Sequence, residues 1–283
     1  MNWKDYLDYS KLPTIFCPGC GIGIGLRAIL QSLSDLNIKK EDIIFVSGIG
    51  CSSRIPGYLD LDSLHTLHGR AIPFATGVKL SYPEKNVIVI TGDGDGLSIG
   101  GNHMIHAARR NISIKTFLFN NMTYGMTGGQ ASPTTPLNKI TSTTPYGKYD
   151  SNFDSVELLK GANAGFIARG SVYHYNMLLK IVKQSITYKG FSFVEILSPC
   201  PTYYGRLQGF EDPAKFFVKQ KDLVYSLDQK DRLKEEEKKD KLPIGIFKNE
   251  ERETFEEIYF KIVEGLKTKW RKLLFFVVKV VRV

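Results

Sequence analysis

Apolar residues along this chain fall into two alternating rhythms: short unbroken runs, and positions spaced three or four apart. Residues 87–91 (VIVIT) form an unbroken run that meets Gly92-Asp93-Gly94-Asp95, the pattern of a buried strand stopped at a turn. Ile99, Ile105, Ala107 and Ala108 then space a helix over 98–110, and 112–119 is a second buried run ending in Asn120-Asn121. The unit is β-α-β. Parallel strands put Asp93 and Asn121 at one carboxyl edge, where open α/β sheets bind ligands.

The same rhythms continue on either side. A Gly/Pro-rich loop, 14–25 (TIFCPGCGIGIG), presents Cys17 and Cys20 at a spacing that lets both sulfurs face one ion or cluster. It follows an aromatic-rich lead-in over 1–13. A helix over 22–36 gathers Ile22, Leu26, Ile29, Leu30, Leu33 and Leu36 on one face. Its positive N-terminus predicts lowered thiol pKa values. A strand over 42–50 leads to Cys51-Ser52-Ser53-Arg54, and a helix over 71–82, stopped by Pro83, begins just after His68-Gly69-Arg70. Residues 128–146 lack periodicity and form a long loop of the kind that often carries function. Helices over 156–159 and 174–188 precede a strand over 191–197, which delivers Cys200 between two prolines. Past Thr202 the composition shifts. Residues 222–241 read as a solvated helix or mobile linker, 242–248 as a strand, and Phe255, Ile258, Tyr259, Ile262, Val263 and Leu266 as an amphipathic helix. The final LLFFVVKVVRV is too short and interrupted to span a bilayer, so it packs against a partner subunit or ends irregularly. These shifts divide the chain into a ligand-binding domain, 1–205, and a C-terminal segment, 206–283.

With 283 residues, 42% of them hydrophobic, the chain can fill one sizeable α/β core plus an appendage. No membrane-spanning run or signal-peptide core is visible, which makes the cytoplasm the expected compartment. The net charge of +9 favours anionic partners. Without a basic, aromatic-interleaved module, nucleic acid ranks below acidic proteins and anionic cofactors. Four cysteines including one Cys-x-x-Cys favour metal over disulfides. Cys51, Asp93, Asn121 and Cys200 all follow strand ends, so four chemical residues converge on one edge. GDGD alone would be a plain turn. With Asn121 beside it, the carboxylate and amide oxygens suit Mg²⁺ holding a diphosphate. The thiols suit either a structural zinc or a [4Fe-4S] cluster. His65 reads as structural, and His103 and His106 as packing residues.

GDG, a helix-length spacer and NN resemble the signature of thiamine-diphosphate enzymes. GIGCSSRIPGY, LHGRAIPFATGVKL, GDGDGLSIGGNH, NNMTYGMTGGQASPTTP and the four cysteines together resemble the β subunit of 2-oxoacid:ferredoxin oxidoreductases over 14–202, and more weakly over 242–257. The resemblance implies an α/β fold of the pyrophosphate-binding type, a mostly parallel sheet with helices on both faces. It implies CoA-dependent oxidative decarboxylation of 2-oxoacids, with electrons leaving through the cluster to ferredoxin. Asp93, Asn121 and the Thr123 carbonyl would hold Mg²⁺. Ile49, Gly50, Cys51, Ser52, His68, Gly94, Asp95, Gly125, Met126 and Thr127 would line the cofactor. Cys17, Cys20, Cys51 and Cys200 would hold the cluster, because Cys51 lies in the cofactor loop and zinc would serve no purpose there. Arg54 would meet the substrate's anionic tail, with Met126 also at the reacting centre. The carboxylate that activates thiamine diphosphate belongs to a pyrimidine-binding domain, and no such domain remains after Thr202. The resemblance therefore implies an α subunit that supplies it. GCSSR followed by IPGY leans toward 2-oxoglutarate or broad 2-oxoacid use. A non-redox thiamine-diphosphate decarboxylase or synthase, and a zinc-stabilised nucleotide-binding module, are the competing readings.

Overall fold

The structure, a computed structural model, describes residues 2–280, with side-chain surroundings for 2–268. One eight-stranded sheet runs β2-β1-β3-β4-β6-β5-β8-β7. Its strands are β1 (Ile43–Ser47), β2 (Asp62–His65), β3 (Asn86–Gly92), β4 (Ile114–Asn120), β5 (Phe166–Ser171), β6 (Ser192–Leu197), β7 (Val224–Ser226) and β8 (Leu242–Asn249). The helices are α1 (Ile22–Asp35), α2 (Ala71–Ser81), α3 (Gly101–Arg110), α4 (Ser155–Gly161), α5 (Tyr175–Thr187), α6 (Pro213–Lys219), α7 (Glu235–Lys238) and α8 (Phe255–Val280). Strands β1 to β6 are mutually parallel. β8 joins β5 antiparallel and carries β7, so the C-terminal segment extends the same sheet. Successive residues face opposite layers: Phe45, Ile88, Ile90, Phe117 and Phe119 pack with α1 and α5, while Val46, Val87, Val89 and Leu118 pack with α2, α3 and α4. Burial on both faces is why the central strands read as continuous apolar runs.

Three differences from the sequence reading have physical causes. The chain after β3 does not turn and then start a helix at 98. It winds straight into a wide π-helical segment, Gly94–Ile99, in which Gly100 N–H donates to Asp95 O (3.0 Å), before α3 begins. β5 was hidden because Arg169 and Gly170 interrupt its apolar run, and β2 because it is an exposed polar edge. His106 is exposed and so is not a packing residue, whereas His103 is half-buried with its Nε2 3.2 Å from Arg70 Nη1. α8 forms as expected, but Ile258, Tyr259, Ile262 and Leu266 are exposed on the isolated chain. The surroundings expected for the apolar tail lie outside the described residues.

Candidate functional site

β3 and β4 end side by side, so the residues that follow them meet in a hollow of about 180 Å³. Its wall contains Ile49, Gly50, Cys51 and Ser52 from the loop after β1, with His68, Asp93, Gly94, Asp95, Asn121, Thr123, Gly125, Met126 and Thr127. Gly92 and Tyr124 complete it. Asp93 is buried, and burial pushes its carboxyl up to about 6 against the hydroxyls of Ser132 and Thr134 and the Gly94 N–H, which favour the charged form. Ser132 and Thr134 both donate to Asp93 Oδ2 at 2.6 Å, which leaves Oδ1 toward Asn121. The Asn121 side-chain oxygen faces only acceptors: turned over, the amide nitrogen would donate to Thr123 O at 2.6 Å and Asp93 Oδ1 at 2.9 Å. As oriented, three oxygens converge without a proton among them. A hard divalent cation satisfies that arrangement, so these residues fit Mg²⁺. Ser132 and Thr134 escaped the sequence reading because hydroxyl residues in a long loop carry no periodic signal.

Asp95 has a different job from Asp93. Its Oδ1 accepts the Gly69 N–H (2.6 Å) and Ile49 N–H (3.3 Å) and sits 3.1 Å from His68 Nδ1, while Oδ2 accepts the Thr91 hydroxyl (2.6 Å). The carboxylate is thus fully engaged in tying the loop after β1 to the loop before α2. Gly48 permits this, since a Cβ there would stand 2.1 Å from Asp95 Oδ2. His68 Nδ1 also lies 3.1 Å from Ile49 O, which leaves Nε2 for a ligand.

The cysteines gather behind the same hollow. A Cβ added to Gly125 would stand 3.3 Å from Asn121 Nδ2, 3.5 Å from Cys51 Sγ and 3.7 Å from Cys200 Sγ, so the Asn121 amide and two of the sulfurs gather around one glycine. All four thiols are free; Cys17 is exposed, Cys20 and Cys200 are buried. Cys20 and Cys51 are each pushed up to about 11, first by burial and then by neighbouring cysteines. This reverses the expectation from the α1 N-terminus: the Ile22 N–H does stabilise the Cys20 thiolate, but burial outweighs it. Ionising the Cys20 and Cys51 thiols therefore calls for a cationic centre beside them, which either an iron-sulfur cluster or a zinc ion would supply. Among the described residues, no three His, Cys, Asp or Glu side chains close around a single metal ion. Arg54 stands exposed on the 3-10 helix Ser52–Tyr58 and does not line the hollow.

Comparison with known proteins identifies the class first. Residues 48–196 match the model of the thiamine pyrophosphate enzyme, C-terminal TPP binding domain, a span that runs from Gly48 to the strand before Cys200. The chain is 47% identical over 264 residues to 2-oxoglutarate synthase subunit KorB of Methanocaldococcus jannaschii, covering 93% of this chain and 98% of that one. It is 39% identical over 284 residues to subunit beta of 2-oxoacid:ferredoxin oxidoreductase 2 of Aeropyrum pernix, covering 93% and 89%. The chain therefore belongs to the β-subunit family of the 2-oxoacid:ferredoxin oxidoreductases, which are oxidoreductase enzymes of more than one subunit. A solved 2-oxoglutarate:ferredoxin oxidoreductase from Magnetococcus marinus, with 2-oxoglutarate, coenzyme A and succinyl-CoA bound, superposes with a TM-score of 0.83 at 32% identity, covering 94% of this chain and 91% of that one. Among the described residues no helix is long and apolar enough to cross a membrane.

Proposed function

We propose that this chain, with an α subunit, catalyses the CoA-dependent oxidative decarboxylation of 2-oxoacids, 2-oxoglutarate foremost, and delivers the electrons to ferredoxin. The observation that carries this reading is the meeting at Gly125 of the Asn121 amide with the sulfurs of Cys51 and Cys200, which puts the candidate cation corner beside free cysteines. Asp93 Oδ1, the Asn121 amide oxygen and Thr123 O would hold Mg²⁺, while Ile49, Gly50, His68 and Gly94 would border the diphosphate. Thiamine diphosphate, when bound, supplies the nucleophile and electron sink that decarboxylation requires. This chain would hold the diphosphate through the cation its oxygens bind, and Gly125, Met126 and Thr127 would shape the wall beside the cofactor. Cys17, Cys20, Cys51 and Cys200 would hold a [4Fe-4S] cluster as the electron exit. A structural zinc held by the four thiolates is the competing reading, and the placing of Cys51 in the wall of the hollow, where a redox group has a use, favours the cluster. The exposure of Arg54 leaves it as a candidate for an anionic substrate tail only where a partner closes over it.

The test is composition and turnover of the anaerobically purified assembled enzyme. About four iron and four sulfide per β subunit are expected, with loss of iron and of visible absorption in Cys51→Ser and Cys200→Ser. Steady-state rates should be highest with 2-oxoglutarate in the presence of CoA and ferredoxin. Zinc in place of iron, or turnover independent of ferredoxin, would overturn the assignment.

A further inference from the structure

Two charged residues are buried where the sheet interior should be apolar, and the mechanism above does not use them. Arg169 on β5 and Glu195 on β6 face each other in register and are each 2% exposed. Glu195 Oε2 accepts Arg169 Nε–H at 2.6 Å and the Ser155 hydroxyl at 2.6 Å. Burial works against the Arg169 charge, but Glu195 and Asp154 together raise its pKa, so it is held ionised. Its Nη2 donates to Asp154 Oδ1 at 2.9 Å, at the N-terminus of α4. A buried pair of this kind costs desolvation and is weak evidence of a purely stabilising role.

The other oxygen of Glu195 points toward the cation corner. Glu195 Oε1 accepts from Asn120 Nδ2 at 2.6 Å. That contact, with the Met122 N–H on Asn120 Oδ1 at 3.0 Å, fixes which way the Asn120 amide faces. Thr134 Oγ1 then lies 2.8 Å from Asn120 Oδ1 and 2.6 Å from Asp93 Oδ2, its single proton shared between the two acceptors. The geometry points to the Glu195–Arg169 pair as a positioning device for the cation site: by fixing the Asn120 amide it holds the Thr134 hydroxyl between Asn120 Oδ1 and Asp93 Oδ2, and Thr134 with Ser132 keeps that Asp93 oxygen bonded and leaves Oδ1 toward Asn121. Partners of metal-ligating carboxylates outside the ligand set characteristically tune affinity in this way. Glu195 on β6 and Arg169 on β5 are positioning residues here, the fourth and fifth side chains along a path that runs from Asp93, just past β3, through Thr134 and through Asn120 at the end of β4.

This inference rests on Asp93 being a cation ligand, and the experiment separates the two. Mg²⁺ is titrated into chelator-stripped, assembled enzyme with saturating thiamine diphosphate, followed by calorimetry, and the melting temperature is recorded alongside. Thr134→Val keeps shape and removes the hydroxyl; it should weaken Mg²⁺ by roughly ten- to hundredfold, and Thr134→Ser should restore wild-type affinity. Glu195→Gln should also weaken Mg²⁺, and the Glu195→Gln, Thr134→Val double variant should lose no more than the worse single change, because both act on one chain of contacts. If Glu195→Gln does not assemble, Arg169→Lys replaces it in the same cycle. Unchanged Mg²⁺ affinity in Thr134→Val, or additive losses in the double variant, would overturn the positioning role. So would a Glu195 variant that lowers only the melting temperature. If Asp93→Ala itself leaves Mg²⁺ affinity intact, the cation site falls, and this inference with it.

Discussion

Two aspartates two positions apart show how environment divides labour at the residue scale. Asp93 spends one oxygen on two hydroxyls and keeps the other facing Asn121, whereas both oxygens of Asp95 are consumed by backbone N–H groups and Thr91. The two should respond differently to substitution. Asp93→Ala or Asn121→Ala removes a hard ligand beside a diphosphate, so Mg²⁺-dependent thiamine-diphosphate affinity should fall at least tenfold with the melting temperature little changed. Calorimetric affinity equal to wild type would contradict the assignment. Gly48→Ala should behave in the opposite sense. Its methyl would collide with the Asp95 carboxylate at 2.1–2.4 Å, so the loops must move apart, at a cost of about 1–3 kcal/mol for overpacking. A melting temperature identical to wild type would show that the close approach at Gly48 is not a constraint.

Strand ends, rather than helices, position the chemistry at the element scale, and that is why so much was legible. Buried parallel strands are continuous apolar runs whose ends are sharp, so the positions of Asp93, Asn121 and Cys200 could be read from where hydrophobicity stops. What was not legible has one cause: polar residues doing tertiary work inside an element. Arg169 broke the signal of β5, Ser132 and Thr134 looked like loop filler, and thiol acidity was misjudged because burial is invisible in a local pattern. Lys115 is another case, buried within β4 with its ammonium donating to Tyr188 O and to Gly190 O (3.2 Å). Burial lowers its pKa to about 7, with Lys79 adding to the shift. The unfolded chain, with lysine near 10.4, then binds more protons than the folded one between pH 7 and 10. The penalty for charging Lys115 is full below pH 7 and fades as pH rises through that window, so this residue makes stability climb with pH. The difference in denaturation midpoint between wild type and Lys115→Met should therefore change between pH 7 and 9.5, in favour of wild type at high pH. A constant difference would show that Lys115 does not titrate there.

On the scale of the whole molecule, the site is too small for what it is meant to hold. Cofactor pockets run roughly 300–1,000 Å³, and the hollow at the β3 and β4 ends offers about 180 Å³. On the proposed reading this chain would supply the wall that meets the cation and diphosphate, and the opposite wall would come from elsewhere. The hollow's rim is also unfinished: Ile49 and Met126 are 39% and 46% exposed, and farther out Phe74 and Leu67 are exposed too. A second apolar surface, on α8, includes Ile258, Tyr259, Ile262 and Leu266. Together these describe a protomer made to be covered, in keeping with its β-subunit family. Activation of thiamine diphosphate further needs a carboxylate facing its pyrimidine ring, and the wall residues of the hollow offer no candidate: Asp93 is bonded to Ser132 and Thr134 and turned toward Asn121, and Asp95 is fully bonded. The purified single chain should accordingly bind iron without reducing methyl viologen when given 2-oxoglutarate and CoA, and co-expression with its α subunit should restore turnover. Turnover by the lone chain at the rate of the assembled enzyme would mean that the hollow closes on itself and the activating acid lies within this sequence.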